Sequence, residues 1–137
     1  MFGTKSALTV AALASGVVLL SASGAHAEVW NDKRDTTGAW AHCWVSTANG
    51  KVRDQYAYIS CYLKDTKADR NRVYVAWWQD GFGGIHLENK KGAGKTITVR
   101  DGRYNRHGAF VNLKWKVCRD RPGRPDNCSS RVTHKTR

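Results

Sequence analysis

From Gly38 onward apolar and polar residues alternate with a period of two, the pattern of strands with one buried face. In the first such run Ala39, Ala41, Cys43 and Val45 share one face, and Trp40, His42, Trp44 and Ser46 share the other. The second, Gln55 to Leu63, sets Ala57, Ile59, Cys61 and Leu63 against Tyr56, Tyr58, Ser60 and Tyr62. "VYVAWW" predicts a third strand closed by the turn "QDGFGG", "IHLEN" a short fourth and "KTITVR" a fifth. "AFVNLKWKVC" predicts a sixth, with Val111, Leu113, Trp115 and Val117 inward. "KDTKADRNR", "NKKGAGK" and the basic "RDGRYNRHG" read as loops and turns. Residues 28–37 read as a polar arm, and the tail after Cys118, which holds both prolines, as mostly loop. About six short strands without a helical period predict an all-β fold, a small antiparallel β-sandwich or barrel.

The first two runs form a hairpin whose register can be worked out. Directly opposed residues of an antiparallel pair have a constant index sum, and placing Cys43 opposite Cys61 centres the turn on Val52, just after Asn49-Gly50. Val45 then faces Ile59, and Ala41 faces Leu63. Opposed, non-hydrogen-bonded positions lie about 4.5 Å apart at Cα, within reach of a disulfide. Cys43–Cys61 is therefore the first expected pair, which leaves Cys118–Cys128 around the Pro-rich loop; spacing does not exclude the other two connectivities.

The N-terminal "MFGTKSALTVAALASGVVLLSASGAHA" has one cation, an apolar run from Ala7 to Leu20 and a small-x-small end at Ala25–Ala27. This is the layout of a secretory signal peptide, with cleavage expected after Ala27, and the run is shorter than the roughly 20 apolar residues of a membrane span. The expected organisation is thus a leader, 1–27, and a single secreted β-domain, 28–137, with no transmembrane segment and a monomeric state. Four cysteines in an exported chain fit two disulfides. A zinc site would want close C-x-x-C pairs, which are absent, so neither metal nor cofactor is expected.

The chain carries 23 Lys and Arg against 11 Asp and Glu. Such an excess attracts anionic partners such as nucleic acid, cell-wall polymers, acidic polysaccharides and membrane surfaces, although charge also serves solubility alone. The hairpin register adds a second feature. Trp40, Trp44, Tyr56, Tyr58 and Tyr62 all fall on the side away from Cys43 and Cys61. Flat rings along a strand stack on sugar faces or on bases, at about 1–3 kcal/mol per stacked base. A second sheet carrying Trp77, Trp78 or Trp115 would instead cover them as core. If the rings are open, Trp40, Trp44, Tyr58 and Tyr62 are the expected stacking residues, with Lys51, Arg53, Arg103 and Arg106 supplying charge.

Two other constellations carry chemistry. His86 and Glu88 project from one strand face, and with His107 in the basic loop they suit a small ribonuclease, since histidine is the acid–base group available at neutral pH. Arg119 to Asn127, closed by Cys118 and Cys128, suits the rigid loop of a secreted inhibitor or effector directed at a protein, because pre-organisation lowers the ordering cost of binding. A solvated turn would have the same composition. No nucleophile elbow or phosphate-binding loop is present.

The Ala/Ser-rich leader, the two-disulfide β-domain and the late "KVCRDRPGRPDNCS" segment together resemble the small secreted proteins that actinomycetes export. The resemblance implies an extracellular location and a compact β fold. The expected role is that of a secreted, non-enzymatic binding protein whose ligand is an extracellular polysaccharide or polyanion, with an inhibitor loop and a ribonuclease as alternatives.

Overall fold

The computed structural model describes residues 27–49, 55–80, 82–105, 110 and 112–135. Residues 1–26, which fall in the expected leader 1–27, and the predicted Lys51, Val52, Arg53, Arg106, His107 and Val111 lie outside them. Nine strands are formed: β1 (Ala27–Thr36), β2 (Ala39–Asn49), β3 (Gln55–Asp65), β4 (Val73–Gln79), β5 (Phe82–Asn89), β6 (Thr96–Asn105), β7 (Asn112–Arg119), β8 (Asn127–Cys128) and β9 (Val132–Lys135). They make two antiparallel sheets, β1-β2-β3-β6 and β5-β4-β7-β8, with β9 also paired to β7. The expected all-β sandwich-like architecture holds, but with more strands than the six read from the pattern.

The central hairpin has the predicted register, with Cys43 opposite Cys61, Val45 opposite Ile59 and Ala41 opposite Leu63. Both expected disulfides are formed, Cys43–Cys61 and Cys118–Cys128, each between directly paired residues with Cα atoms 4.1 and 4.0 Å apart.

The core lies between the sheets and is built by complementary size. The first sheet contributes mostly small side chains, Ala39, Ala41, Cys43, Val45 and Ala57, with Ile59 and Leu63. The second contributes Val73, Val75, Val117 and the fully buried rings of Trp77 and Trp115. Large rings opposite small residues let two pleated faces interdigitate without voids, as close packing requires. Polar contacts also tie the layers together. The Trp77 indole N–H donates to Asp101 at 2.9 Å, and the Asn89 amide donates to the Leu63 carbonyl at 3.0 Å.

Two segments read as irregular are strands. The supposed N-terminal arm is β1, paired along its length with β2 from Ala27–Ala48 to Thr36–Ala39. Its inward positions are Trp30, Asp32, Arg34 and Thr36, so a mostly polar inner face hid the period. Inward charge of this kind is one way an edge strand avoids further pairing. Gly38 closes the β1–β2 turn at φ +92°, where a Cβ would meet the Arg119 side chain at 2.6 Å. In the tail, β8 and β9 are too short to show alternation, yet Val132 and His134 are buried opposite Trp115 and Leu113.

His134 stacks on Trp30, with centroids 4.9 Å apart, and its Nε2 lies 3.3 Å from Asp32. Burial, the largest effect, holds its pKa below the usual 6.5; Arg34 acts the same way and Asp32 opposes them. The unfolded chain therefore takes up this proton at higher pH than the folded one. Stability from this group is fully present above pH 6.5 and declines as pH falls through that value towards the lower folded pKa. Urea midpoints measured from pH 7.5 to 5 are expected to fall, and His134→Gln to flatten that slope; an unchanged slope would show that His134 is not the group responsible.

Candidate functional site

The outer face of β1-β2-β3-β6 is built by strand alternation. Because Cys43, Cys61 and their neighbours point at the second sheet, the residues between them point away from it. The cross-strand pairs set these outward residues in rows: Tyr56 beside Tyr104, then Val29, Ser46, Tyr58 and Gly102, then Asn31, Trp44, Ser60 and Arg100. Lys33, His42, Tyr62 and Thr98 follow, and then Asp35, Trp40, Lys64 and Thr96. Eight residues of strand separate Tyr56 from Lys64, so the face runs for about 26 Å.

The second sheet does not cover this face. Tyr56, Tyr58, Tyr62 and Tyr104 are 36, 46, 47 and 48% exposed, Val29 is 67% exposed, and Trp40 and Trp44 are half-buried. The rings brace one another. Tyr56 lies 4.9 Å from Tyr104 and stacks parallel to Tyr58 at 6.3 Å, while Trp44 meets Tyr62 edge-on at 5.3 Å. His42 lies 4.0 Å from Trp44, and its Nε2 is 2.7 Å from Asn31 Oδ1. Desolvation against its neighbours, and then Lys33, keeps the His42 pKa below the usual value, against Asp32, so this ring is neutral at neutral pH. Mutual contact fixes the orientation of side chains that would otherwise lose rotamer freedom on binding.

Two shallow grooves cross the face. One runs between Trp40, Tyr62, Lys64 and Asp35. The other lies among Val29, Trp44, Ser46, Tyr58, Ser60, Gly102 and Arg100, and Ile59 and Asp101 also line it. Glycine at 102 has a specific role, since a Cβ there would lie 3.2 Å from Tyr58 Cδ1. Its absence lets the Tyr58 ring lie close over β6. Lys33, Lys64 and Arg100 make the face basic, and none of the three forms an ion pair with a described carboxylate.

All four predicted stacking residues, Trp40, Trp44, Tyr58 and Tyr62, lie on this one face. Arg103 does not join them. It pairs with Ala57 on the inward side of β6, and its Nε donates to Asp101 at 2.9 Å. Lys51, Arg53 and Arg106 lie outside the described residues. Pattern reading missed Tyr104, because β6 continues through the segment taken for a basic loop and carries it onto the outer face, and it gave Arg100, the last residue of the predicted strand "KTITVR", no place on that face. The alternation of Thr98, Arg100, Gly102 and Tyr104 was the available signal.

The other constellations are engaged structurally. His86 stacks on Tyr74 at 4.1 Å, and Glu88 accepts from Arg72 at 3.1 Å. Arg72 also binds Asp120 at 2.9 Å. In the loop 119–127, Arg119 is buried against Asp69 at 2.8 Å, and the Arg121 side chain donates to the Pro125 carbonyl at 3.0 Å. The Arg124 amide closes a turn onto the Arg121 carbonyl at 2.9 Å. The Tyr74 hydroxyl donates to Asp126. That bond holds the Asp126 carboxyl below its usual pKa, while burial above all pushes the Tyr74 hydroxyl well upward.

Among the described residues no group of three or more His, Cys, Asp and Glu could hold a metal ion, and no helix is long and apolar enough to cross a membrane. Comparisons with protein-family models, curated proteins and solved structures find no match to the chain. The functional reading therefore rests on the geometry of the face itself.

Proposed function

We propose that the chain is a secreted, non-enzymatic binding domain and that the outer face of β1-β2-β3-β6 holds an extracellular polysaccharide. One observation carries the reading: six aromatic rings, with Lys33, Lys64 and Arg100 among them, line one solvent-facing sheet surface that no other described element packs against. An aromatic patch left open on a small protein invites aggregation unless it has a ligand. Tyrosine and tryptophan suit a sugar chain, because the ring covers the apolar face of a pyranose while the hydroxyl or N–H reaches its polar edge. The leader-like N-terminus and the two disulfides support export into an oxidising compartment, as does the resemblance to small exported β-domains of actinomycetes. The loop 119–127 supports an inhibitor less well, since its own hydrogen bonds fold it into a turn.

Co-sedimentation with insoluble polysaccharides tests the reading. Trp44→Ala and Tyr58→Ala are each expected to weaken binding about tenfold, the lower part of the range for a stacked ring. The double variant is expected to lose binding while its unfolding temperature changes little, because both side chains lie outside the core. Full retention by the double variant would contradict the proposal.

A further inference from the structure

The groove between Trp44 and Tyr58 is lined by Ser46, Ser60 and Arg100, which has no ion pair to a carboxylate among the described residues; Asp101 also lines it, with its carboxylate engaged by Trp77 and Arg103. We propose that this groove selects an acidic sugar, a uronate unit within the polysaccharide, whose carboxylate is taken by Arg100; this rests on the reading of the outer face as a glycan surface. Four features converge on it. Arg100 is exposed and sits across from Ser60, one pair along from Trp44 and two residues from Gly102. Ser46 and Ser60 offer hydroxyls that both donate and accept, suiting ring and hydroxyl oxygens of a sugar. Gly102 allows Tyr58 to lie low over β6, where it lines the groove with Trp44 and both serines. The face carries Lys33, Lys64 and Arg100 against Asp35 alone, so its field favours an anionic chain along its length. Arginine matters at this position because its planar fork takes a carboxylate through two parallel hydrogen bonds, which an ammonium cannot do.

The test compares an oligogalacturonate with a neutral gluco-oligosaccharide of equal length and a single-stranded oligonucleotide, titrated by calorimetry into the full-length mature protein. The oligogalacturonate is expected to bind at least tenfold tighter than the neutral oligomer. Arg100→Gln is expected to reduce that affinity about ten- to a hundredfold, the range for a hydrogen-bonded charged group, and to leave the neutral oligomer unaffected. Arg100→Lys is expected to recover only part of the loss. Arg124→Gln, which removes an equal charge from an exposed turn far along the chain, is expected to change nothing. Equal affinity for acidic and neutral oligomers, unaltered by Arg100→Gln, would overturn the selectivity while leaving the glycan surface standing. Tightest binding to the oligonucleotide, weakened equally by Arg100→Gln and Arg124→Gln, would overturn it in favour of unspecific charge. Binding of no oligosaccharide at all would overturn both the selectivity and the surface.

Discussion

Trp77→Ala is expected to destabilise the folded protein by about 3–5 kcal/mol, the range for removing a buried aromatic ring. Trp77 has no exposed surface, faces Trp115 across the β4–β7 pair and fills the space left by small residues of the first sheet. The alanine leaves a void that rigid strands on both sides cannot close. It also removes the indole donor to Asp101, a polar contact between the layers, leaving Arg103 as that carboxylate's side-chain partner among the described residues. For a domain of this size the unfolding temperature should fall by about 15 °C or more. Trp78→Ala is the matched comparison. Its neighbour in sequence points to the opposite, half-buried side, where Lys116 lies 5.9 Å from the ring centroid. That change should cost about 1 kcal/mol. Equal losses at the two positions would mean that Trp77 is not held between the sheets.

Replacing both Cys43 and Cys61 by alanine is expected to cost about 3 kcal/mol, because the crosslink restricts the unfolded chain over a separation of 18 residues. The same double change at Cys118 and Cys128, separated by 10, should cost slightly less. Urea denaturation distinguishes this origin from simple loss of packing. An unfolded chain freed of its crosslink exposes more surface, so the slope of stability against urea should rise as the midpoint falls. A lower midpoint with an unchanged slope would place the effect in the native core instead. Cys43 and Cys61 are both buried there, so the alanines also lose some packing.

The hairpin was the most legible part of the sequence, and the reason is geometric. Two cysteines and two alternating runs set one register, and that register alone separated Ala41, Cys43, Ile59 and Leu63 from Trp40, Trp44, Tyr58 and Tyr62. Which of the two sides would be covered was not legible from these strands. It depended on the distant Trp77 and Trp115, whose bulk fits against alanines and valines and not against another layer of rings. The strand β1 was hidden because its inward side chains are largely charged and find partners only in the folded state, as Asp32 does beside His134. Arg103 was misplaced for a related reason. A segment rich in Arg, Asp and Gly reads as loop, yet in the sheet its alternation sends Arg103 inward to Asp101 and brings Arg100 and Tyr104 outward.

Tryptophan fluorescence of the protein, titrated with acidic and neutral glycans at low and high salt, tests the outer face most directly. Of the six tryptophans, Trp40 and Trp44 are on the outer face, Trp78 is on the opposite sheet, and Trp30, Trp77 and Trp115 pack into or against the core. Glycan addition is expected to give a spectral change that high salt weakens without abolishing, because stacking persists when charge is screened. The change is expected to be lost in a Trp40→Phe, Trp44→Phe variant and kept in Trp78→Phe. No change with any glycan, or a change that survives loss of Trp40 and Trp44, would contradict glycan binding at the outer face.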